Sequence, residues 1–555
     1  MHGISPPTHE TDVLIIGGGA AGSMAAIEAS DQGAEVVLTN KGFLGRTGIT
    51  ASTMGGLVGV IQPPDEPERF VQDMLKCGHQ LNNAAIVRLY VNEIKNGEVM
   101  DLEKLGVTFD RDSENNLRVL KAGGHSFPRV VMATWLNPTT ILRYGLIPQI
   151  LRKGIRVVDQ VIITKLLVTA DRVSGAVGVN VKNGQVELFR SKSIVLATGN
   201  AAQLFGESAG LSATGDGYSL AYQAGARLRD MEFVSCTIGL AYPLGLRGKV
   251  LGEPVTIPGS KPRLYNSAQA PFMEQYFPDA ILYTKDMYML GISKELREGR
   301  GSPHGGVWYD FSNLNPVGPT YPYVKQILGS LSESVSKSGV VECTLTPYYF
   351  PGGVEFDESH ESRVKGLFVA GEVAGGLHGA ERLAATAMAE AIVFGKRAGR
   401  FAAAAAQQRR RAEIDWEEVR KEEDRVYGMF EQEGPQTPRD VRRKIQATMW
   451  DKVGLIRSEG NLLTAQRDLQ QIESLDLPRA RVRSKNPKAN LEWMELIEAH
   501  FLLDAGKMLV AAALERKESR GSHYREDYAA GSADWVKKIV LDKDEERVRC
   551  CVLDV

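Results

Sequence analysis

A glycine-rich turn close to the start of the chain limits the possible folds more than any other feature. The apolar stretch Val13–Ile16 has the character of a strand, and Gly17, Gly19 and Gly22 follow it with the spacing G-x-G-x-x-G. A helical segment and a second apolar strand, residues 36–39, come next. Such glycines allow a tight turn, close approach of a pyrophosphate and close helix packing. Free N–H groups at the helix start attract the phosphates. The pattern predicts a βαβ unit that binds a dinucleotide.

The end of the second strand indicates which dinucleotide this is. Nicotinamide enzymes commonly place an acid here, about 20 residues after the turn, to bind the ribose hydroxyls. This chain has Asn40 followed by Lys41. Because an amide can still hydrogen-bond a diol while the acid of the NAD enzymes is missing, the sequence favours FAD over NAD.

Two further nucleotide-fold strands lie far downstream, which indicates that the Rossmann-type domain is split. Residues 194–197 run into Thr198-Gly199, and residues 367–370 run into Gly371-Glu372 before an Ala-rich helix. The stretch between them is irregular and rich in Pro, Gly and Tyr, and charged helix formers dominate after residue 408. We therefore predict an α/β fold with a split Rossmann-type FAD-binding domain, an inserted α+β capping domain and a C-terminal helical domain. The expected boundaries are 1–236 and 346–408 for the FAD-binding domain, 237–345 for the cap and 409–555 for the C-terminal domain.

Composition excludes several other classes of function. The 555 residues include 66 Lys plus Arg and 68 Asp plus Glu, so no basic field favours nucleic acid. The five cysteines show no C-x-x-C spacing, so we expect no metal or iron–sulfur cluster in this chain. The N-terminus lacks a signal-peptide pattern, and no apolar run is long enough to span a bilayer. We expect a cytoplasmic protein that would reach a membrane only through partner subunits.

Five stretches of the chain together resemble the flavoprotein subunits of succinate dehydrogenase, fumarate reductase and L-aspartate oxidase. They are residues 17–22, residues 214–217 with 229–234, residues 371–372, residues 377–383 (LHGAERL) and residues 513–527 (ALERKESRGSHYRED). The likeness covers nearly the whole chain. It implies a member of a hetero-oligomer that acts on a small molecule and exchanges electrons with a separate iron–sulfur subunit.

The resemblance also implies where FAD binds. Glu372 would bind the ribityl chain, and the helix that begins near Ala384 would direct its positive N-terminus at the pyrimidine edge of the flavin. The family has Ser-Asn-Ser at this helix start where this chain has Ala385-Thr386-Ala387. The backbone amides survive that change. The implied contacts are Gly17, Gly19, Ala20, Ala21, Gly22, Asn40, Lys41, Thr47, Gly48, Gly56, Ala197, Thr198, Gly199, Asp216, Gly371, Glu372, Arg382, Ala385, Ala387 and Met388.

One departure from the family concerns the covalent tether. The succinate and fumarate enzymes attach FAD through a His, and the matching stretch in this chain, residues 49–56, has Ile49 at that position. An alkyl side chain cannot attack the flavin methyl group. We therefore expect non-covalent FAD, as in the aspartate oxidase branch.

A second departure concerns the substrate pocket. Fumarate reductases use a cap Arg as the proton donor, with two His and a further Arg to bind the carboxylates. An ungapped alignment places Lys285 at the position of the acidic Arg, and the two His positions fall near Thr237 and on Tyr348. The second Arg is kept as Arg382. The dicarboxylate site of the family is therefore altered.

These residues suggest roles that each have an ordinary alternative. We expect Lys285 to donate the proton, Arg382 to hold the anionic or carbonyl end of the substrate, and Tyr348 and His378 to assist. The alternatives are a surface position for Lys285, core packing for the adjacent tyrosines, and purely structural roles for His378 and Arg382. We interpret His125, His304 and His523 as structural.

Three functions fit this pattern. The first is an FAD-dependent reductase or dehydrogenase that acts on an activated C=C or CH–CH bond, in an unsaturated acid or thioester other than fumarate. The second is sulfur chemistry on the same architecture, as in the adenylylsulfate reductases. The third is an electron-transfer protein that holds FAD without a substrate of its own.

Overall fold

A computed structural model describes residues 6–51, 56–95, 97, 100–133, 140–206, 208, 210, 212–251, 263–278, 283–310, 339–544 and 548–555. The strands are β1 Thr8–Glu10, β2 Val13–Ile16, β3 Val36–Asn40, β4 Gly56–Val58, β5 Val130–Met132, β6 Arg156–Asp159, β7 Val161–Thr169, β8 Arg172–Asn180, β9 Gln185–Arg190, β10 Ser193–Leu196, β11 Leu228–Arg229, β12 Ser235–Leu240, β13 Arg263–Tyr265, β14 Val307–Asp310, β15 Val340–Tyr349, β16 Gly353–Val354, β17 Leu367–Val369, β18 Ile456–Arg457, β19 Tyr524–Arg525, β20 Lys537–Lys543 and β21 Val548–Asp554. The α-helices are α1 Ala20–Asp31, α2 Pro67–Cys77, α3 Ala84–Lys95, α4 Ile147–Arg152, α5 Asp216–Gln223, α6 Met273–Tyr276, α7 Lys285–Arg297, α8 Thr386–Gln408, α9 Trp416–Gly428, α10 Pro438–Thr448, α11 Glu459–Gln471 and α12 Leu491–Glu515.

A parallel sheet with the strand order β17-β10-β2-β3-β6 forms the centre of the protein. β2 is buried along its whole length and pairs in parallel with β3 and β10, and β10 pairs in parallel with β17. The sheet therefore joins three distant parts of the chain, which confirms the predicted split. The carboxyl ends of β2, β10 and β17 lie side by side, and ligands bind at this edge in open α/β sheets.

α1 and α8 pack against each other through small residues. A Cβ atom added at Gly395 would lie 2.4 Å from the carbonyl oxygen of Ala21, and one added at Gly399 would lie 2.3 Å from that of Ala25. Such distances leave no room for a side chain. The close approach of the two helices therefore depends on the glycines of α8 and positions the start of α8 beside the start of α1.

The segment predicted to form a cap has a hydrophobic core of its own. β12, β15, β14 and β13 form an antiparallel sheet, and α7 packs on β12, β14 and β15. The buried side chains of this core extend from Cys236 to Leu345 and form a cluster separate from the main core. Residues 252–262, 279–282 and 311–338 of the segment lie outside the described residues.

The C-terminal region shares its core with the parallel sheet. Side chains of α9 to α12 belong to the same hydrophobic cluster as β2 and β10. β20 pairs with β11 and with β21, so a C-terminal hairpin accompanies the predicted helices. The fully buried Arg516 donates a 2.6 Å hydrogen bond to the fully buried Glu232. A search of the described helices finds none that is long and apolar enough to cross a membrane.

The contact between α1 and α8 generates a test of stability. Gly395→Ala should lower the thermal unfolding midpoint, because the new methyl group meets a carbonyl oxygen in a packed interior, where overpacking costs about 1–3 kcal/mol. Gly460→Ala is the matched control, since Gly460 is exposed in α11 and an added Cβ atom meets nothing within 4 Å. The control should raise the midpoint slightly, because Ala reduces the entropy of the unfolded chain. Equal midpoints for Gly395→Ala and wild type would contradict the packing argument.

Candidate functional site

A large cavity opens at the carboxyl ends of β2, β10 and β17. It is lined by residues of the first βα turn, the start of α8, and the cap. Nineteen of the twenty predicted FAD contacts line it, and the exception is Gly22. They are Gly17, Gly19, Ala20, Ala21, Asn40, Lys41, Thr47, Gly48, Gly56, Ala197, Thr198, Gly199, Asp216, Gly371, Glu372, Arg382, Ala385, Ala387 and Met388.

The glycine turn is shaped for close contact with a phosphate. Gly17 has φ +112, and a Cβ atom there would lie 2.3 Å from the carbonyl oxygen of Ala197. A Cβ atom at Gly22 would lie 1.8 Å from the carbonyl oxygen of Gly17, so the missing side chain lets α1 pack closely on the turn. Gly22 does not line the cavity. Gly19 caps α1 without a side-chain hydrogen bond, and Ala20 and Ala21 line the cavity. The first turn of α1 therefore provides the anion site that a pyrophosphate needs.

Two acidic side chains neutralise a buried lysine at the end of β3. Lys41 Nζ lies 3.0 Å from Asp216 Oδ2 and 2.8 Å from Glu498 Oε1, and it donates a 2.7 Å hydrogen bond to Thr214 Oγ1. Burial alone would lower the pKa of Lys41, but the carboxylates of Asp216 and Glu498 outweigh burial and raise the pKa. Glu498 belongs to α12, so the C-terminal region helps to hold Lys41 at this end of the cavity.

Glu372 and Thr198 also line the cavity. Asn200 Nδ2 donates a 3.1 Å hydrogen bond to Glu372 Oε2. Burial, together with the nearby carboxyl of Glu390, raises the pKa of Glu372 to about 8. Thr198 Oγ1 is buried and has no hydrogen-bond partner among the described residues. A Cβ atom at Gly217 would lie 2.1 Å from this oxygen, so the hydroxyl packs against the first turn of α5. Together with the anion site, these groups fit the phosphates and polyol of FAD.

The remaining end of the cavity lies at the start of α8. The helix begins at Thr386, close to the predicted position, and its cap residue Ala385 has φ +61. Thr386 turns inward and donates a 2.7 Å hydrogen bond to the carbonyl of Leu383. Ile49, at the position that tethers FAD in the resembling enzymes, also lines the cavity. Residues 52–55 of its stretch lie outside the described residues.

Lys285, Tyr348 and Arg382 meet on the cap side of this end. Lys285 is the first residue of α7 and only 6% exposed, so the surface alternative for this lysine is wrong. Its Nζ atom donates a 3.1 Å hydrogen bond to the carbonyl of Arg382 and lies 5.6 Å from the centre of the Tyr348 ring. The Arg382 guanidinium donates to the Tyr348 hydroxyl. Thr237 lines the same cavity.

His378, the fourth predicted catalytic residue, lies behind this group and does not line the cavity. Its Nε2 atom is 3.1 Å from Glu390 Oε2, and the Tyr349 hydroxyl donates a 2.6 Å hydrogen bond to the same oxygen. Burial lowers the pKa of His378, although Glu390 opposes this shift. Arg382 lies over the Tyr349 ring at 4.7 Å from its centre. His378 therefore packs against the Tyr349 ring, 5.3 Å between ring centres, and does not face the cavity.

The three histidines interpreted as structural each have a partner close to a ring nitrogen. His125 Nε2 is 2.9 Å from the carbonyl of Ala384, and burial lowers the pKa of His125 to about 4. His304 Nδ1 lies 2.6 Å from Glu342, and His523 Nδ1 lies 2.6 Å from the buried Arg457.

Sequence analysis missed several lining residues because no motif marks them. An apolar group near Lys285 and the start of α8 comes from separate hairpins and loops, and two hydroxyl groups come from other turns. They are Leu120, Ala122, Val130, Met132, Val250 and Leu251, with Thr50 and Ser212. Only the packing of distant segments brings these side chains to one wall.

Comparisons with known proteins agree with this architecture. Residues 12–388 match the family described as FAD binding domain, and residues 442–554 match the one described as fumarate reductase flavoprotein C-term. The chain is 34% identical to one of the subunits of the fumarate reductase (CoM/CoB) of Methanothermobacter marburgensis, over 97% of this chain and 98% of that protein. It is 29% identical to the chloroplastic L-aspartate oxidase of Arabidopsis thaliana, over 95% and 82% of the two chains.

Solved structures give the same result. A variant of the E. coli quinol fumarate reductase FrdA superposes with a TM-score of 0.91 at 26% identity, covering 99% of this chain and 97% of that one. The adenylylsulfate reductase of Archaeoglobus fulgidus superposes at 0.77 with 21% identity, which shows a shared fold alone. The predicted fold class and the predicted cofactor FAD are confirmed. The chain belongs to the family of FAD-dependent oxidoreductases that includes the fumarate reductase flavoprotein subunits and the L-aspartate oxidases.

Proposed function

We propose that this chain is the flavoprotein subunit of a reductase or dehydrogenase that acts on an activated C=C or CH–CH bond. Its substrate would be an unsaturated acid or thioester other than fumarate, and its electrons would pass through a separate iron–sulfur subunit. The observation that carries the proposal is the group formed by buried Lys285, buried Arg382 and half-buried Tyr348 beside the start of α8. The names of the related fumarate reductase subunits support membership of a hetero-oligomer.

Bound FAD would supply hydride transfer at N5, and the surrounding side chains would supply binding and the proton. Arg382 would bind the anionic or carbonyl end of the substrate, because a guanidinium offers parallel donors to two oxygens. Its position is held by the Tyr348 hydroxyl and by the Tyr349 ring. Lys285 would act as a positioned general acid and transfer its proton to the carbon of the C=C bond that does not receive the hydride.

The wall beside this group argues against a dicarboxylate. In the ungapped alignment the two carboxylate-binding His positions of the resembling enzymes fall near Thr237 and on Tyr348, and Val250 and Leu251 of the same lining are apolar. Lys41, the other lysine that lines the cavity, is already paired with two carboxylates. A substrate with one anionic or carbonyl end and an apolar remainder fits these surroundings better than fumarate.

We further propose the domain division that the sequence predicts. The FAD-binding domain would comprise residues 1–236 and 346–408, the cap residues 237–345 and the C-terminal domain residues 409–555. The separate hydrophobic core of the cap supports the inner boundaries. The core shared between α9 to α12 and the sheet indicates that the C-terminal region would not move independently.

FAD should be bound tightly and without a covalent bond. Ile49 lines the cavity where the tethering group would have to lie, and a sec-butyl side chain has no nucleophilic atom. Acid precipitation of the purified protein should therefore leave the yellow chromophore in the supernatant. Flavin that remains with the pellet would contradict this assignment of the tether position.

A substrate screen tests the class of reaction. When the FAD has been reduced by a viologen dye, at least one unsaturated monocarboxylate or thioester should reoxidise it rapidly, and fumarate should reoxidise it only slowly. The reason is that the described wall offers apolar side chains where a second carboxylate would need a cation or a histidine. Fumarate turnover as fast as that of the best alternative would overturn the proposed substrate class.

Replacing Lys285 tests its role as the acid. Lys285→Met should lower turnover of the identified substrate by about 10²–10⁴-fold, the contribution of a positioned general acid, with the FAD content unchanged. Lys294→Met is the matched control, since Lys294 lies on the same helix and outside the cavity lining. Wild-type turnover in Lys285→Met would show that another group donates the proton.

A further inference from the structure

A buried acid–histidine pair lies behind Arg382 and has no part in the chemistry proposed above. Glu390 is 0% and His378 2% exposed, and they are joined at 3.1 Å through Glu390 Oε2, which also accepts from Tyr349. Glu390 Oε1 and His378 Nδ1 are buried and have no hydrogen-bond partner among the described residues. The pair therefore holds two positions at which a proton could bind.

The pair lies next to the redox-active end of the cavity. In a Rossmann-type site the end of the second strand, here Asn40 and Lys41, faces the ribose of the adenosine half. A pyrophosphate held at α1 would leave the flavin half at the opposite end, where α8 begins. Glu390 is on α8 between Met388 and Ala391, which both line the cavity. One helix wall therefore separates the pair from the flavin half.

The surroundings of the pair favour the binding of one more proton when the flavin is reduced. Burial lowers the pKa of His378, so its ring is neutral near pH 7 beside the Glu390 carboxyl. Electrons that enter a site of low dielectric constant strongly favour a compensating positive charge nearby. The titratable and charged groups that face the pair from other elements are Tyr90 of α3, Tyr218 of α5, Lys285 of α7, Tyr349 of β15, and Glu372 and Arg382 of the loops before α8.

We propose that the Glu390–His378 pair binds one proton from water each time the bound FAD receives two electrons. Reduction of bound FAD would consume the two electrons and one proton, and the pair would bind a second proton at Glu390 Oε1 or His378 Nδ1. This proposal rests on the FAD site and on no assumption about the substrate, so it holds or fails independently of the proposed function.

Other nearby groups are poorly suited to take up this proton. Burial raises the pKa of Glu372 to about 8, so this carboxyl already holds its proton near pH 6.5. Burial also raises the pKa values of Tyr349, Tyr218 and Tyr90, so these phenols hold their protons throughout the neutral range. The Arg382 guanidinium keeps its proton in both states. The Glu390–His378 pair, in contrast, has two buried atoms without a hydrogen-bond partner among the described residues, and these atoms can accept the proton.

The test is the pH dependence of the flavin midpoint potential between pH 6 and 7, by mediated electrochemical titration of the FAD-loaded chain without substrate. Wild type should show two protons per two electrons. Glu390→Gln and His378→Asn should each show one, which halves the slope of potential against pH. His360→Asn is the matched control, since His360 is a fully buried histidine that lies outside the cavity lining, and it should keep the wild-type slope.

Wild-type slopes in both pair variants would overturn the proposal. A measurement on wild-type protein covers the case in which the variants do not fold or do not retain FAD. The infrared difference spectrum between oxidised and reduced protein should contain a histidine-ring or protonated-carboxyl band, and histidine labelled with ¹³C in the ring identifies the former. A difference spectrum without either band would also overturn the proposal.

Discussion

Parallel pairing of β10 with β2 on one side and β17 on the other is the constraint on which the rest of the structure depends. These strands are far apart in the chain, and each is buried and ends in a turn that lines the cavity. Hydrogen bonds in a parallel ladder fix the register of the strands, so the three turns arrive at one edge together. The phosphate site at Gly17 and the polar atoms of Thr198 and Glu372 are brought together by this register.

Some of the charged side chains inside the protein are paired with side chains of opposite charge. Lys41 is held between two carboxylates, and Arg516 is held by Glu232 at the junction with the C-terminal region. A buried charge is tolerated only when it is paired, and removal of one partner is strongly destabilising. Glu498 shows the consequence for function, since a side chain of the C-terminal helix α12 neutralises the lysine at the end of β3. The C-terminal region therefore holds a lining residue of the cavity in place as well as sharing the core.

The cap and the FAD-binding part divide the chemistry between them. The cap brings Lys285 at the start of α7, and the FAD-binding part brings Tyr348 at the end of β15 and Arg382 in the loop before α8. Tyr349, next to Tyr348, points the other way and donates to Glu390. Adjacent residues of a strand face opposite sides, so one dipeptide connects the substrate side of the wall with the buried pair behind it.

The sequence by itself determined the cofactor site, because that site consists of local motifs. G-x-G-x-x-G after a strand, and Gly371-Glu372 before a long helix, work through backbone shape and helix termini, which depend on residues close together in the chain. Only the tertiary structure decided that Lys285 is buried, that His378 lies behind the cavity, and that Glu498 reaches Lys41. Each of these facts depends on which side chains from distant segments share a space of low dielectric constant, and no local pattern records that.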